Sequence, residues 1–399
     1  NRMRESSSHN LFIIVLSEHP TLGMLLLPYI AESSPEREEL CLVEQAFHLS
    51  PKTVAQMSKT EQKAIEIASH YTEKYLMTVY SKDKTIPKFL RRLTEEPEKL
   101  RNVRLFIEKK LQEMMELIRT CNLPLYQKQS RSKLLYPHHA YHVNQEDVEV
   151  HFSFEVNNQS FNYQLQCYSE GKAIPLTELK PVTTLTSNPA ILLLGMEVYI
   201  FQHIESSRLL PFTKKTHISV DASLTEKYID NILIPVARYH NIDVQGLDVK
   251  KEKRICECLL YIEDTIYHTP LLRLNFRYGD QVFSPQPTDG IKRFIFRETQ
   301  EGRSVIRYFR RTPDIEKEAI FLLQNAGLEA ISDSHFKLSE NAPEKSINEW
   351  VAHHRTMLQE SFVLTSGIQD KPYSLDEIRI EQSFDDGPDW FELHITAVI

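Results

Sequence analysis

Glycine is scarce, at 10 of 399 residues. Loops that cradle phosphate bring backbone amides close to the ligand and rely on residues without a Cβ, so few such loops are available. The sequence has no Gly-x-x-x-x-Gly-Lys-Ser/Thr loop, no paired dinucleotide fingerprint, no His-Glu-x-x-His and no Gly-x-Ser-x-Gly. Its single Gly171-Lys172 pair lacks both the preceding glycines and a following hydroxyl residue. ATP hydrolysis needs amides and a lysine around the phosphates, with carboxylates for magnesium. This chain is not expected to hydrolyse ATP alone.

Cysteine is sparse as well. Cys41, Cys121, Cys167, Cys256 and Cys258 form an odd, scattered set with no Cys-x-x-Cys pair. Cys256 and Cys258 share a face of an expected strand and are poorly placed for a mutual disulfide. Reduced thiols and a cytoplasmic setting fit this usage. No apolar run reaches the roughly 20 residues that span a bilayer, and Leu11 to Leu16 is short and has no signal-peptide cleavage region after it. Positive charge is in deficit: 47 Lys and Arg face 55 Asp and Glu, for a net charge of -8. Global attraction to nucleic acid or an anionic membrane is therefore not expected, although a local basic face stays open.

What is present is the material of a globular protein: 41% hydrophobic and 26% charged residues, with 17 Tyr and 19 Phe. The length suits two or three domains. The opening run reads as two strands broken by a polar turn at Ser17 to Pro20, with Pro28 favouring a sheet edge or the end of pairing. Ser58 with Glu61 predicts a capping box ahead of Ala64, Ile65, Ile67 and Ala68. Thr85 to Leu93 and Pro97 to Thr120 predict further helices, the last with a stripe through Leu100, Val103, Phe106, Ile107, Leu111, Met114 and Leu117. Its many glutamates offset its lysines and arginines, which favours a solvated face over a nucleic-acid surface.

From Cys121 to Pro137 the composition reads as a linker. Strands follow at Val148 to Glu155 and Phe161 to Cys167 around an Asn157-Asn158 turn. Ala190 to Phe201 reads as one run buried on both sides. Ser223 with Glu226 predicts the cap of a helix to about His240, and Arg254 to Tyr267 and Leu271 to Tyr278 predict strands. Ile291 to Phe296 and Val305 to Phe309 flank a turn at Gln300 to Gly302. A helix from Asp314 ends at Gly327, another starts at Ser346 and Glu349, and a strand follows at Phe362 to Thr365. Ile378 to Ser383 and Trp390 to Val398 form a hairpin pattern. The expected fold is α+β and multidomain, an antiparallel or mixed-sheet body with a helical insertion and a C-terminal α+β module, without a RecA-like lobe. The expected segments are 1–50 (N-terminal β, packing on the body), 51–132 (helical), 133–280 (mixed, rich in antiparallel strands) and 281–399 (C-terminal module).

Candidate chemistry is thin. His138, His139, His142 and His151 lack the cysteines that a structural zinc site usually adds, and His353 and His354 should point apart on a helix. Glu146, Asp147, Glu149 and Glu155, and Asp385, Asp386 and Asp389, raise a nuclease reading, but neither cluster has an Asp...Glu-x-Lys pattern. No catalytic or metal residue is assigned. The best positive feature is Lys292, Arg293, Arg297, Arg303, Arg307, Arg310 and Arg311, opposed only by Glu298 and Glu301 and interleaved with Phe294, Phe296, Tyr308 and Phe309. Strand alternation could bury one set and turn the other towards phosphate. A surface that docks acidic residues would look similar.

The order of elements from Arg307 to Leu338, the helix through Trp350 and Leu358, and the Asp389-Trp390-Phe391-Glu392-Leu393 strand resemble the region ahead of the motor in bacterial Swi/Snf-type helicase-like ATPases, especially the longer Bacteroidetes forms. The opening EHPTLGMLLLPYI run is similar to the start of such proteins. The resemblance implies a non-catalytic accessory region of a DNA-dependent ATPase, with ATP and Mg used only by the parent motor beyond Ile399. Its implied partners are the downstream ATPase lobes, and double-stranded DNA or an RNA polymerase or other nucleoprotein complex. Both chain ends read as cut, and the paired-cysteine zinc motif of some relatives is missing. Asp389, Trp390, Phe391 and Leu393 are expected to form a structural hairpin. The alternatives are a protein-interaction scaffold without nucleic-acid contact and a metal-dependent nuclease.

Overall fold

Two strands of eleven residues, β1 (His9–His19) and β2 (Gly23–Ser33), open the chain as a continuous antiparallel hairpin. In the computed structural model, residues 9–33, 38–129, 131–264, 269–285, 290–366, 378–382 and 393–397 are described. Ser17, Glu18 and His19 still pair with Leu25, Met24 and Gly23, so the turn falls later than the polar residues suggest. Its closure is local: His19 Nδ1 accepts from the amides of Thr21 at 3.1 Å and Leu22 at 3.0 Å. Pro28 sits inside β2, opposite Ile14, where it cannot donate to a ladder. Pairing to the next strand, β3 (Leu40–Gln45), begins only at Tyr29. Pro28 thus marks the end of pairing on that side.

Five helices follow: α1 (Pro51–Ala55), α2 (Lys59–Ser69), α3 (Glu73–Tyr80), α4 (Ile86–Glu95) and α5 (Pro97–Cys121). The capping box forms as the spacing predicts, with Ser58 Oγ accepting from Glu61 N and Glu61 Oε2 from Ser58 N. α5 stops where Asn122 turns left-handed, at φ 53°, a conformation asparagine tolerates. The segment read as a linker instead returns to the first sheet as β4 (Leu125–Gln127) and β5 (Leu134–Leu135), giving the order β4-β1-β2-β3-β5. Buried Leu125 and Leu135 anchor these short edges; single leucines in polar surroundings carry no periodic signal.

The remaining strands of this part are β6 (His142–Val143), β7 (Glu149–Val156), β8 (Ser160–Ser169), β9 (Lys172–Ala173), β10 (Val182–Ser187), β11 (Ala190–Leu194) and β12 (Glu197–Ile200). After the short α6 (Ser206–Leu209) come β13 (His217–Asp221) and β14 (Asn241–Gln245). One sheet runs β10-β11-β12-β6; another runs β13-β8-β7-β14 with β9 on β8. The apolar run from Ala190 is therefore two strands, turned at Gly195 with φ +63°. Every residue of β11 is buried. That explains why no alternation showed the break.

The core of this unit joins Ile14, Leu16 and Leu26 of the first hairpin to Val103, Ile107, Leu111 and Met114 of α5, and to Leu185, Ile191, Leu193 and Val198 of β10, β11 and β12. Each such side chain contributes about 1.5–3 kcal/mol by leaving water. The contact is fixed in register by one cation. Arg104 Nη1 on α5 donates to Leu22 O at 2.9 Å and Met24 O at 2.8 Å, and Nη2 donates to Leu185 O at 2.9 Å. Glu108, one turn on, lies 3.7 Å from Arg104 Nε and accepts from Ser187 N and Oγ. Burial lowers the Arg104 pKa, and Glu108 raises it in part.

The chain divides into two compact units, residues 1–225 with 240–245 and residues 226–239 with 246–399. The second starts within a broken helix: α7 (Thr225–Tyr228), a π-helical turn at Ile229–Leu233, and α8 (Ile234–Ala237). Pro235 explains the break, since it has no N–H and crowds the carbonyl four residues back. Asp221, whose side chain accepts from Ser223 N, caps the preceding turn in place of the expected Ser223.

Next come β15 (Asp248–Lys251), β16 (Cys256–Asp264), β17 (Pro270–Tyr278), β18 (Gln281–Phe283), β19 (Phe294–Gln300) and β20 (Arg303–Phe309). α9 (Pro313–Asn325), β21 (Leu328–Ala330), β22 (His335–Leu338), α10 (Ile347–His353), α11 (Arg355–Ser361) and β23 (Val363–Ser366) follow. The sheets run β15-β20-β19 and β21-β22-β17-β16-β23, with β18 on β17. β24 (Ile378–Gln382) and β25 (Leu393–Ala397) pair antiparallel, as the hairpin pattern predicts. The fold is mixed α+β, and among the described residues nothing forms a RecA-like lobe.

Replacing Arg104 with Met should leave three carbonyls and a buried carboxylate without their partner. Chemical denaturation is expected to show a loss of about 3 kcal/mol, and a loss below about 1 kcal/mol would remove the clamp from this account.

Candidate nucleic-acid interface

The basic and aromatic residues singled out by sequence lie on the β19–β20 hairpin or directly beside its open end, and its turn takes Glu301 and Gly302 through positive φ of 49° and 76°. The register pairs Phe294 with Phe309, Ile295 with Tyr308, Phe296 with Arg307, and Arg297 with Ile306. Side chains alternate along each strand, so one face carries Phe294, Phe296, Arg307 and Phe309. The other carries Ile295, Arg297, Ile306 and Tyr308. Alternation therefore does not sort bases from aromatics: each face has both.

The aromatic face is structural. Phe294 stacks on Phe309 at 5.5 Å and tilts against Phe283 at 4.6 Å, and Tyr278 stacks on Phe309 at 5.9 Å. Arg254 lies over the Phe309 ring at 4.4 Å and Arg311 over Phe283 at 4.9 Å. Of the hairpin aromatics only Tyr308 belongs to the opposite face.

Three of the arginines are occupied by carboxylates. Arg297 Nε and Nη2 each donate to Asp230 at 2.9 Å, and Nη1 lies 3.6 Å from Glu226. That fork holds the α7 segment on the sheet, and it lowers the Asp230 carboxyl below its ordinary value. Arg307 donates to Glu298 at 2.8 Å and Glu252 at 3.3 Å. Arg311 makes a buried fork, Nε to Glu316 Oε1 at 2.7 Å and Nη2 to Oε2 at 2.8 Å. Tyr278 Oη donates to the same Glu316 at 2.6 Å and accepts from Thr312 N at 2.9 Å.

The remaining cations divide by position. Arg303 is exposed at the turn. At the other end of β20, roughly 20 Å away at about 3.3 Å per residue, stand Lys292, Arg293, Tyr308 and Arg310. Lys292 is exposed, and its amide donates to Arg238 O. Arg293 lies 5.7 Å over the Tyr308 ring, and its Nε is buried without a partner. Burial and the neighbouring Arg310 charge lower the Arg293 pKa, with Tyr308 opposing. Among the described residues neither Arg293 nor Arg310 makes an ion pair. β15 adds what the sequence reading missed: Lys251 pairs directly with Tyr308 and, with Lys253, is exposed. The signal was the basic run Lys250-Lys251-Glu252-Lys253-Arg254, upstream of the hairpin and joined to it only by a parallel pairing.

The other candidates do not assemble. His138 stacks on Tyr136 and His139 packs edge-on against both, while His142 and His151 pair separately with Glu197 at 2.7 Å and Asp243 at 3.1 Å. Asp147 pairs with Arg119, and Glu149 accepts from Asn241. His353 and His354, expected to point apart, both approach buried Glu344, at 3.2 and 3.9 Å, because the helix breaks at His354. Among the described residues no three His, Cys, Asp or Glu side chains group to hold a metal ion. A concave region of about 710 Å³ covers the polar face of β7 and β8, lined by Ser153, Glu155, Asn162, Gln164, His217 and Asp243; its carboxylates do not suit phosphate. Asp385, Asp386, Asp389, Trp390 and Phe391 lie outside the described residues, and Leu393 begins β25. Among the described residues no helix is long and apolar enough to cross a membrane.

The buried and exposed arginines should separate in a stability measurement. Arg311→Ala leaves the Glu316 carboxylate stranded where the two side chains are 8% and 10% exposed, and is expected to cost about 3 kcal/mol. Arg297→Ala, opposite a half-exposed Asp230, should cost under about 1 kcal/mol. Equal losses in urea titrations would contradict this division.

Comparison with curated proteins gives no match, and comparison with solved structures gives none. A family model does match, over residues 104–341, which is more than half of the chain and reaches from Arg104 on α5 past β22. The chain belongs to the family described as bacterial SNF2 helicase associated.

Proposed function

We propose that this chain is a non-catalytic accessory region of a larger DNA-dependent Swi/Snf-type ATPase, and that it guides duplex nucleic acid along the surface formed by Lys251, Lys253, Lys292, Arg293, Tyr308 and Arg310. The supporting observation is the Arg293–Arg310 pair: two like charges held together, with one buried Nε unpartnered. A phosphate set between the two guanidinium groups would relieve that repulsion. The same region would brace the downstream ATPase lobes, with ATP and Mg serving the parent motor alone. A cytoplasmic nucleoprotein complex, such as a transcribing RNA polymerase, is the setting this reading implies.

Three arginines consumed by internal carboxylates favour a second reading, in which the hairpin is mainly a structural part of a protein-interaction scaffold without nucleic-acid contact. The nuclease alternative finds no metal-binding group among the described residues. Duplex binding by fluorescence anisotropy across a salt series decides between the first two. The Lys251→Ala/Arg310→Ala pair is expected to weaken binding and reduce the slope of log affinity against log salt by about 2, near 0.9 for each phosphate contact. Arg303→Ala, at the far end of the strand, should change it less. Binding that is absent, or unaltered by the double substitution, would leave docking as the role.

A further inference from the structure

We propose that the segment from Arg131 to His138 binds single-stranded nucleic acid, stacking an unpaired base on Tyr136 and His138 while Arg131 and Lys133 hold the phosphates. Composition sets this part of the chain apart. The protein has 55 Asp and Glu, yet none stands between Glu116 and Glu146. The same stretch holds Arg119, Lys128, Arg131 and Lys133. Arg119 is spent on Asp147 and Glu116, and Lys128 lies over the Tyr29 ring at 5.7 Å. Arg131 and Lys133 are exposed. Among the described residues neither makes an ion pair, although β5 runs beside β3, which carries Glu44.

The fold joins these cations to a rigid aromatic platform. β5 carries the chain from Lys133 to Tyr136, and a tight turn at Pro137–His139 follows. Tyr136 is 37% exposed and His138 is exposed. Their rings lie nearly parallel, 9° apart in plane and 5.7 Å between centroids. Buried His139 stands edge-on to both, at 5.6 Å from Tyr136 and 4.2 Å from His138. Its Nδ1 accepts from Tyr136 N at 3.2 Å, and its amide donates to Tyr136 O at 2.9 Å. The exposed pair is therefore held by a buried third ring and does not have to be ordered when a ligand arrives.

The chemistry selects the partner. Two surface rings already stacked offer a flat face to a third, and every base has such a face. Bases inside a duplex are stacked on one another and cannot reach it, whereas those of a single strand can. An acidic peptide would use the two cations and leave the rings without a role. This surface lies in the first unit and shares no residue with the one proposed for duplex, so the two inferences stand or fall separately.

Fluorescence anisotropy of the full chain with a labelled oligothymidine, and with a duplex of equal length, tests this. Tyr136→Ala is expected to weaken single-strand binding about tenfold, and Tyr136→Phe to keep it within about twofold. His138→Ala, whose ring makes no hydrogen bond among the described residues, should weaken it severalfold without disturbing the turn. Neither alanine variant should alter duplex binding. The Arg131→Ala/Lys133→Ala pair should reduce the slope of log affinity against log salt by about 1.4, near 0.7 for each phosphate contact on a single strand. In a Lys251→Ala/Arg310→Ala background the same losses should appear, which separates this surface from the other. The inference is overturned if the oligonucleotide does not bind, or if Tyr136→Ala and His138→Ala both leave its affinity unaltered. Displacement by polyglutamate as effective as by unlabelled oligothymidine would also overturn it, and would make this a surface for acidic protein.

Discussion

One guanidinium governs the first unit. Arg104 reaches from α5 to the two carbonyls flanking Gly23, where the turn enters β2, and to a third on β10, so three elements distant in sequence are referenced to one planar group. Apolar packing supplies the attraction among them, but it is non-directional and does not choose a register. The fork does. Gly23 turns the chain between those carbonyls at φ +84°, a conformation that suits glycine, and lies directly beside the guanidinium. Glu108 completes the arrangement, engaging Ser187 while standing beside the arginine that needs its charge.

The second unit solves a similar problem with a carboxylate at the centre. Glu316, on the first turns of α9, receives Arg311 and Tyr278 together, and ties the end of the hairpin to β17 below the helix. Trp350, fully buried, donates from its indole to Ala326 O at 2.7 Å and fastens α10 beneath the end of α9. An arginine that looks, in sequence, like the most basic end of a surface patch is thus a counterion of the core. Charge density along a chain does not report which charges have already been answered by folding.

That distinction marks what was legible. The Ser58–Glu61 capping box, the α5 stripe, the Asn157 turn and the Gly302 turn rest on local chemistry, within a few residues of one another, and the elements follow it. Leu125 and Leu135 joined a sheet through pairings with β1 and β3, which no local pattern encodes. The two strands within Ala190 to Phe201 merged because burial on both faces erases alternation. The α7–α8 segment was read as one helix although Pro235 was visible inside it. For the candidate surface, sequence found Arg293, Tyr308 and Arg310 but grouped them with Arg297, Arg307 and Arg311, whose partners Asp230, Glu252 and Glu316 come from other segments or from the next helix. Lys251 was invisible for the converse reason: it enters through a parallel pairing.

The path of the chain has a practical consequence. It passes from the first unit to the second after residue 225, returns for 240–245, and leaves again at 246. A truncation after 245 would carry away Asp230 and Glu226, the two carboxylates that answer Arg297, and strip the helical cover from β19. A truncation after 225 would instead deprive β7 of its neighbour β14. No single cut yields two intact halves, so the units are woven as one inheritable piece, and dissecting them calls for circular rearrangement rather than shortening.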